Sequence, residues 1–170
     1  WSLDLTTGAY TYYDNNSSNS IIYGNLYNAY AARDEDVCPE GWRVPSNEDW
    51  AIMQIELGMP AGDSEDFGHF GYDEGVGNKL KVGGTAYWGS GNMGNNESGF
   101  SAKGSGMRLG SAYSSGWSDP TFSELNAVAY YWTSSEYENV NIRKKLYTYW
   151  EGIQTHWSGV SNNDGFSIRC

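Results

Sequence analysis

The sequence predicts an α+β domain, and three observations carry the prediction. Ser46 to Leu57 has the capping chemistry and apolar spacing of one helix. The final third is dense in short β-branched and aromatic runs. Twenty-two glycines against four prolines supply tight turns and loops between them. At 170 residues the chain suits a single domain, 1–170, with one or two helices, short and mostly antiparallel strands, and long Gly-, Asn- and Ser-rich loops.

Ala9-Tyr10-Thr11-Tyr12-Tyr13 has strand-like content, and Asp14 to Ser20 reads as a loop. Gly24 to Ala32 fits a strand or a short helix, and periodicity does not decide between them. Arg33-Asp34-Glu35-Asp36 reads as a solvated turn, with a calcium ligand set as the alternative. Cys38-Pro39-Glu40-Gly41-Trp42-Arg43-Val44-Pro45 is a Pro-bounded turn leading into the helix. There Ser46 is the N-cap with Asp49 three residues on, and Glu48 and Asp49 sit where the helix dipole favours negative charge. Trp50, Met53 and Leu57 form one buried face that Ile52 and Ile55 widen, while Gly58 and Pro60 end the helix. Trp42 and Trp50 are expected to fill the core.

Residues 61–76 form an acidic, Gly-rich insertion in which His69 reads as a surface residue more readily than as a metal ligand. Lys79 to Val82 and Tyr87-Trp88 are short apolar pieces, and another segment runs from Ser98 to Leu109. Tyr130 to Ser135, Arg143 to Trp150, Ile153 to Trp157 and Phe166 to Cys170 read as strands, with turns at Glu151-Gly152 and 162–165. Alternation divides the Arg143–Trp150 run: Leu146, Thr148 and Trp150 share one face, and Tyr147, Tyr149 and Glu151 share the other.

Eight Trp, fourteen Tyr and five Phe make an aromatic core and exclude a disordered chain. A net charge of −11 argues against nucleic acid and anionic membrane surfaces and suits glycan or protein partners. No apolar run is long enough to span a membrane. The chain starts mid-pattern at Trp1, which reads as a mature exported protein whose signal has been removed. A bond between the two cysteines, Cys38 and Cys170, would tie the turn before the helix to the last strand.

Several motifs in order resemble a known family: Tyr23-Gly24-Asn25-Leu26-Tyr27-Asn28, Cys38 to Ser46 with Trp50, Gly77-Asn78-Lys79-Leu80-Lys81, Asn96 to Ala102, Tyr131 to Tyr137, and Gly165-Phe166-Ser167-Ile168-Arg169-Cys170. This succession is similar to the Fibrobacter succinogenes major paralogous domain of exported bacterial proteins and covers nearly the whole chain. That family resembles C-type-lectin-like folds, including formylglycine-generating-enzyme relatives, and the variable proteins that retroelements diversify. Two departures stand out. The second cysteine pair near the N-terminus of many members is absent, and the 61–76 insertion is longer and more acidic, so no function there is inherited.

The reading that follows is an extracellular, non-catalytic recognition domain. Its candidate ligand surface comprises Tyr137, Asn139, Asn141, Tyr147, Tyr149, Trp150, His156, Trp157, Ser161, Asn162 and Asn163. Rigid aromatics supply contact area, and Asn and Ser supply adaptable hydrogen bonds; half of the set is expected to point inward. Residues 137–163 are also rich in the types reached from Asn codons by adenine changes, which suits diversification by a retroelement. No cofactor or metal site is assigned, and the tripeptides that hold the calcium of C-type lectins are absent. A self-associating surface or appendage protein is the alternative. An enzyme of the formylglycine-generating kind fits less well, because Cys38 and Cys170 suit a structural disulfide and only two histidines could serve as bases.

Overall fold

The computed structural model describes residues 5–110 and 121–170. Among these are four helices: α1 (Ser17–Tyr23), α2 (Ala29–Ala32), α3 (Asn47–Glu56) and α4 (Val76–Leu80). A two-stranded antiparallel ribbon pairs β1 (Tyr10–Thr11) with β2 (Leu26–Tyr27). The main sheet contains β3 (Gly68–Phe70), β4 (Ser105–Arg108), β5 (Phe122–Leu125), β6 (Val128–Tyr137), β7 (Val140–Tyr147) and β8 (Ile153–His156). Their order across the sheet is β3-β8-β7-β6-β4-β5, antiparallel except where β4 meets β6. The class is α+β, as the sequence predicts.

The helix expected after Pro45 forms as α3. The Ser46 hydroxyl accepts from the Asp49 N–H at 3.1 Å, and the Asp49 carboxylate accepts from the Ser46 N–H at 2.7 Å. Arg43 grips the same carboxylate with both guanidinium nitrogens, which holds the Asp49 carboxyl well below the usual range. Trp50 fills the core as expected, with Met53 and Leu57 packed against it, but Ile52 and Ile55 do not widen that face. Asn47, Trp50, Ala51 and Gln54 point inward, while Ile52 and Ile55 are exposed. Gln54 turns under the 59–64 loop, donating to the Met59 sulfur and the Ser64 carbonyl, so the inward stripe runs one residue away from both isoleucines. Trp42 is 65% exposed and fills no core.

A second difference concerns 14–20, expected as loop. Asn16 caps α1 by accepting from the Ser18 N–H, and Ser17 to Tyr23 closes as a helix. Polar composition misleads here because α1 buries none of its residues, so no apolar stripe marks it. Gly24 to Ala32, undecided from periodicity, contains both β2 and α2.

The core lies on both sides of β6, whose first six residues are all buried. Val128, Tyr130 and Trp132 face one side, against Ala29, Ala32, Val44 and Phe166. Ala129 and Tyr131 face the other, with Trp50, Leu80, Trp88, Leu146 and Ile153. Burying an indole removes roughly 150–250 Å2 from water, on the order of 4–6 kcal/mol before conformational entropy. Trp88 and Trp132 satisfy their N–H groups on the carbonyls of Ala102 and Tyr27, at 3.0 and 2.8 Å.

The closing segment is shared between elements rather than added to one edge. Gly165 exchanges hydrogen bonds with Arg108 of β4, Phe166 exchanges them with Tyr27 of β2, and Ser167 bonds to Tyr130 and Trp132 of β6. Cys170 then bonds Cys38, with the Cα atoms 5.8 Å apart. Two buried lysines stand beside this frame. Lys81 donates to the carbonyls of Tyr147, Thr148 and Trp150 at 2.8, 3.3 and 2.8 Å. Lys144, fully buried on β7, donates to the Thr155 hydroxyl at 2.8 Å.

Candidate functional site

Strand pairing assembles side chains from four strands into a row on one face of the sheet. Tyr130 of β6 lies opposite Lys145 of β7, Lys145 opposite Gln154 of β8, and Gln154 opposite His69 of β3. The next row runs Trp132, Arg143, His156. At the β3 edge the row ends in an aromatic platform. His69 meets Trp150 edge-on at 4.5 Å between ring centroids and lies parallel to Tyr147 at 6.1 Å. Tyr72 runs parallel to Trp150 at 6.5 Å, and Tyr149 flanks Tyr147 at 6.0 Å. Tyr149 is 73% exposed, so the platform opens to solvent. The Tyr147 hydroxyl donates to the Gln154 side-chain Oε1 at 2.7 Å, fixing its ring. Lys81 fixes the backbone beneath Tyr149 and Trp150 through the three carbonyls it bonds.

A second group forms where the β6–β7 hairpin passes the loop before β3. Phe67, Tyr137 and Trp157 touch one another at 4.8 to 6.0 Å between centroids. Asn139 lies at the tip of that hairpin, exposed and with φ 64, beside Glu138 at φ 51. Two consecutive left-handed residues make the tight turn whose twist matches that of paired strands.

The remaining predicted residues belong to the scaffold. Asn141 is fully buried, accepting from the Arg33 Nε at 2.6 Å and donating to the Thr133 carbonyl at 2.9 Å, which holds the register shift of β6 after Trp132. Arg33 also donates to Asn162 Oδ1 at 3.3 Å and pairs with Glu136. Ser161, Asn162 and Asn163 form a turn around the buried Asp164, which accepts from the N–H groups of Ser161 and Gly110. The Ser161 hydroxyl accepts from the Asn163 N–H, and the Asn162 carbonyl accepts from the Ala29 N–H. Tyr137, Asn139, Tyr147, Tyr149, Trp150, His156 and Trp157 are therefore surface or half-buried, while Asn141 and the 161–163 turn hold the frame.

Three contributors come from the 61–76 insertion, where the sequence assigns no site: Phe67, His69 and Tyr72. Aromatic rings at 67, 70 and 72 around His69 were a signal for them, since so many rings in an acidic loop need something to pack against. His69 lies against aromatic rings rather than in a carboxylate cluster. Among the described residues no three His, Cys, Asp or Glu side chains converge as a metal-ligand group.

The electrostatics of this face favour neutral hydrogen-bonding groups. Burial, with Lys145 nearby, lowers His69; burial, with Arg143 and Lys145, lowers His156; both imidazoles are therefore neutral at pH 7. Burial followed by Arg143 pushes Lys145 down to about 8. Burial and the bond to Glu124 carry the Tyr130 phenol far above its ordinary value. At pH 7 the face thus offers imidazole, amide and phenol groups and the still largely protonated Lys145 ammonium, beside indole and phenol rings.

A search of curated proteins and a search of solved structures each gave no match. Residues 2–170 match the model of the Fibrobacter succinogenes major domain, across nearly the whole chain. The chain belongs to this bacterial family.

Proposed function

We propose that the domain is an extracellular, non-catalytic recognition module that binds glycan or protein surfaces through the platform of His69, Tyr72, Tyr147, Tyr149 and Trp150. The observation that carries the reading is the gathering of these five rings, with His69, Tyr72 and Tyr149 exposed and Tyr147 and Trp150 half-buried beneath them. Ring faces stack on the apolar faces of sugars or on partner side chains, and rigid aromatics lose little entropy on binding. The Cys38–Cys170 disulfide suits an oxidising compartment, and no described helix is long and apolar enough to cross a membrane. A lectin-like ancestry of the fold belongs to the same reading.

Screening the protein on a glycan array and against bacterial and host surface extracts, beside Tyr149→Ala and Trp150→Ala, tests the proposal. At least one class of ligand is expected, with binding weakened about tenfold or more by each variant and unchanged by chelator. Equal binding by wild type and both variants would refute the platform. Concentration-dependent assembly in light scattering, abolished by the same substitutions, would replace it with the self-associating alternative. Diversification by a retroelement is part of the proposal and falls on Tyr137, Asn139 and Tyr149, which are exposed, rather than on the buried Asn141. An adjacent reverse transcriptase with a template repeat is the genomic sign of it.

A further inference from the structure

Away from the platform, a cavity of about 450 Å3 lies between α1, the 101–103 segment and the closing segment. Its walls include Ile21, Ile22, Tyr23 and Tyr27 on the apolar side. Ser20, Asn25 and Ser101 add polar groups. Among the described residues its charged lining is Lys103 and Arg169, with no Asp or Glu. That is unusual in a chain of net charge −11, where carboxylates outnumber cations twofold.

Both cations are positioned, and neither is neutralised. The Lys103 ammonium donates to the Ile22 carbonyl at 2.7 Å and sits 4.4 Å over the Tyr87 ring, with two further donors left over. The Arg169 guanidinium rests 5.0 Å over the Phe100 ring, and among the described residues no carboxylate pairs with it. Its backbone is fixed by the pairing of Ser167 with β6 on one side and by the Cys170 disulfide on the other. Helix α1, which buries nothing and leaves Ile21 88% exposed, is a wall of this cavity rather than a part of the core.

We infer that this cavity is a second binding site, selective for carboxylated sugars of the uronic or sialic acid type. Arg169 takes the carboxylate with its planar fork of donors and Lys103 adds a point charge. Ser20, Asn25 and Ser101 meet ring hydroxyls, while Tyr23, Tyr27 and the isoleucines cover the ring's apolar face. The volume falls in the ordinary range of small-molecule sites, roughly 300–1,000 Å3.

Titration of the 170-residue protein with D-glucuronate, D-glucose and acetate by calorimetry and ligand-observed NMR tests the inference. Glucuronate is expected to bind saturably and about tenfold or more tighter than either control, with affinity falling as salt rises. Arg169→Gln and Lys103→Met are each expected to weaken it about tenfold, and Arg169→Lys less, with unchanged thermal midpoints as the folding control. Glucose binding as well as glucuronate, acetate binding as well as glucuronate, or full affinity in Arg169→Gln would each overturn the inference. Tyr149→Ala and Trp150→Ala should leave glucuronate binding intact, so failure of the platform and failure of this site are separately readable.

Discussion

Lys144→Met is a substitution whose effect on stability should depend on pH in a calculable way. The Lys144 ammonium is fully buried on β7 with the Thr155 hydroxyl as its hydrogen-bond partner. Burial pushes its pKa down to about 7, against a small opposing pull from Glu65. The unfolded chain titrates near 10.4. Between these values the unfolded state holds a proton that the folded state has released, so stability rises with pH by about 1.4 kcal/mol per unit. From pH 7 to pH 9 this one group should add about 2 kcal/mol, and methionine in its place should add none. At pH 7 the variant escapes the cost of discharging or burying the ammonium, which the full shift puts at about 4 kcal/mol. Leaving Thr155 without its donor returns about 1 kcal/mol, so a net gain of about 1–3 kcal/mol is expected. Urea unfolding of oxidised wild type and Lys144→Met at pH 7, 8 and 9 measures both quantities. Lys81 and Lys145 also shift with pH, but they are present in both proteins and cancel in the difference. Parallel stability curves for the two proteins would refute the reasoning.

Lys81→Met should act in the opposite direction. It leaves the carbonyls of Tyr147, Thr148 and Trp150 without their donor, at about 1 kcal/mol or more each. That outweighs the relief of removing a buried ammonium pushed down to about 8, and it loosens the platform turn; urea unfolding reads the net loss. Removing the disulfide with Cys38→Ala/Cys170→Ala frees a loop with a sequence separation of 132 and should cost about 5 kcal/mol, read as a lowered denaturation midpoint. Asn141→Ala should cost about 1–3 kcal/mol by leaving the Thr133 carbonyl without its side-chain donor and the Arg33 Nε without its acceptor. Asn139→Gly should change stability by less than about 0.5 kcal/mol, because a glycine accepts the left-handed turn position. Thermal melts of the two asparagine variants side by side check whether scaffold and surface separate as described.

Local chemistry was legible in the sequence wherever one short stretch decides the outcome. Ser46 and Asp49 announce the start of α3 because a capping box is complete within four residues. The alternation expected for 143–150 holds at Leu146 and Thr148, which are buried, and at Tyr149, which is exposed. It fails at Trp150, which joins Tyr147 in the platform because β7 ends at Tyr147. What the sequence did not yield depends on partners far along the chain. Gln54 displaces Ile55 from the core because a loop ten residues later supplies its hydrogen bonds. Asn141 resembles the surface asparagines around it, and Arg33, 108 residues away, is what places it inside. His69 and Tyr72 join the platform only because β3 pairs with β8 across more than eighty residues, a register that no window of sequence contains.

The three-way junction at Gly165, Phe166 and Ser167 also governs when the protein can fold. Backbone groups of Tyr27, Arg108, Tyr130 and Trp132 wait for partners that a ribosome makes last among these elements. Phe166 fills the gap between Tyr130 and Trp132, so a nascent chain stopping at residue 160 lacks a ring from the middle of its core. Such a chain has loop-closure entropy to overcome and too few contacts to overcome it with. Residues 165–167 therefore complete the core between β2, β4 and β6 rather than extend a finished sheet.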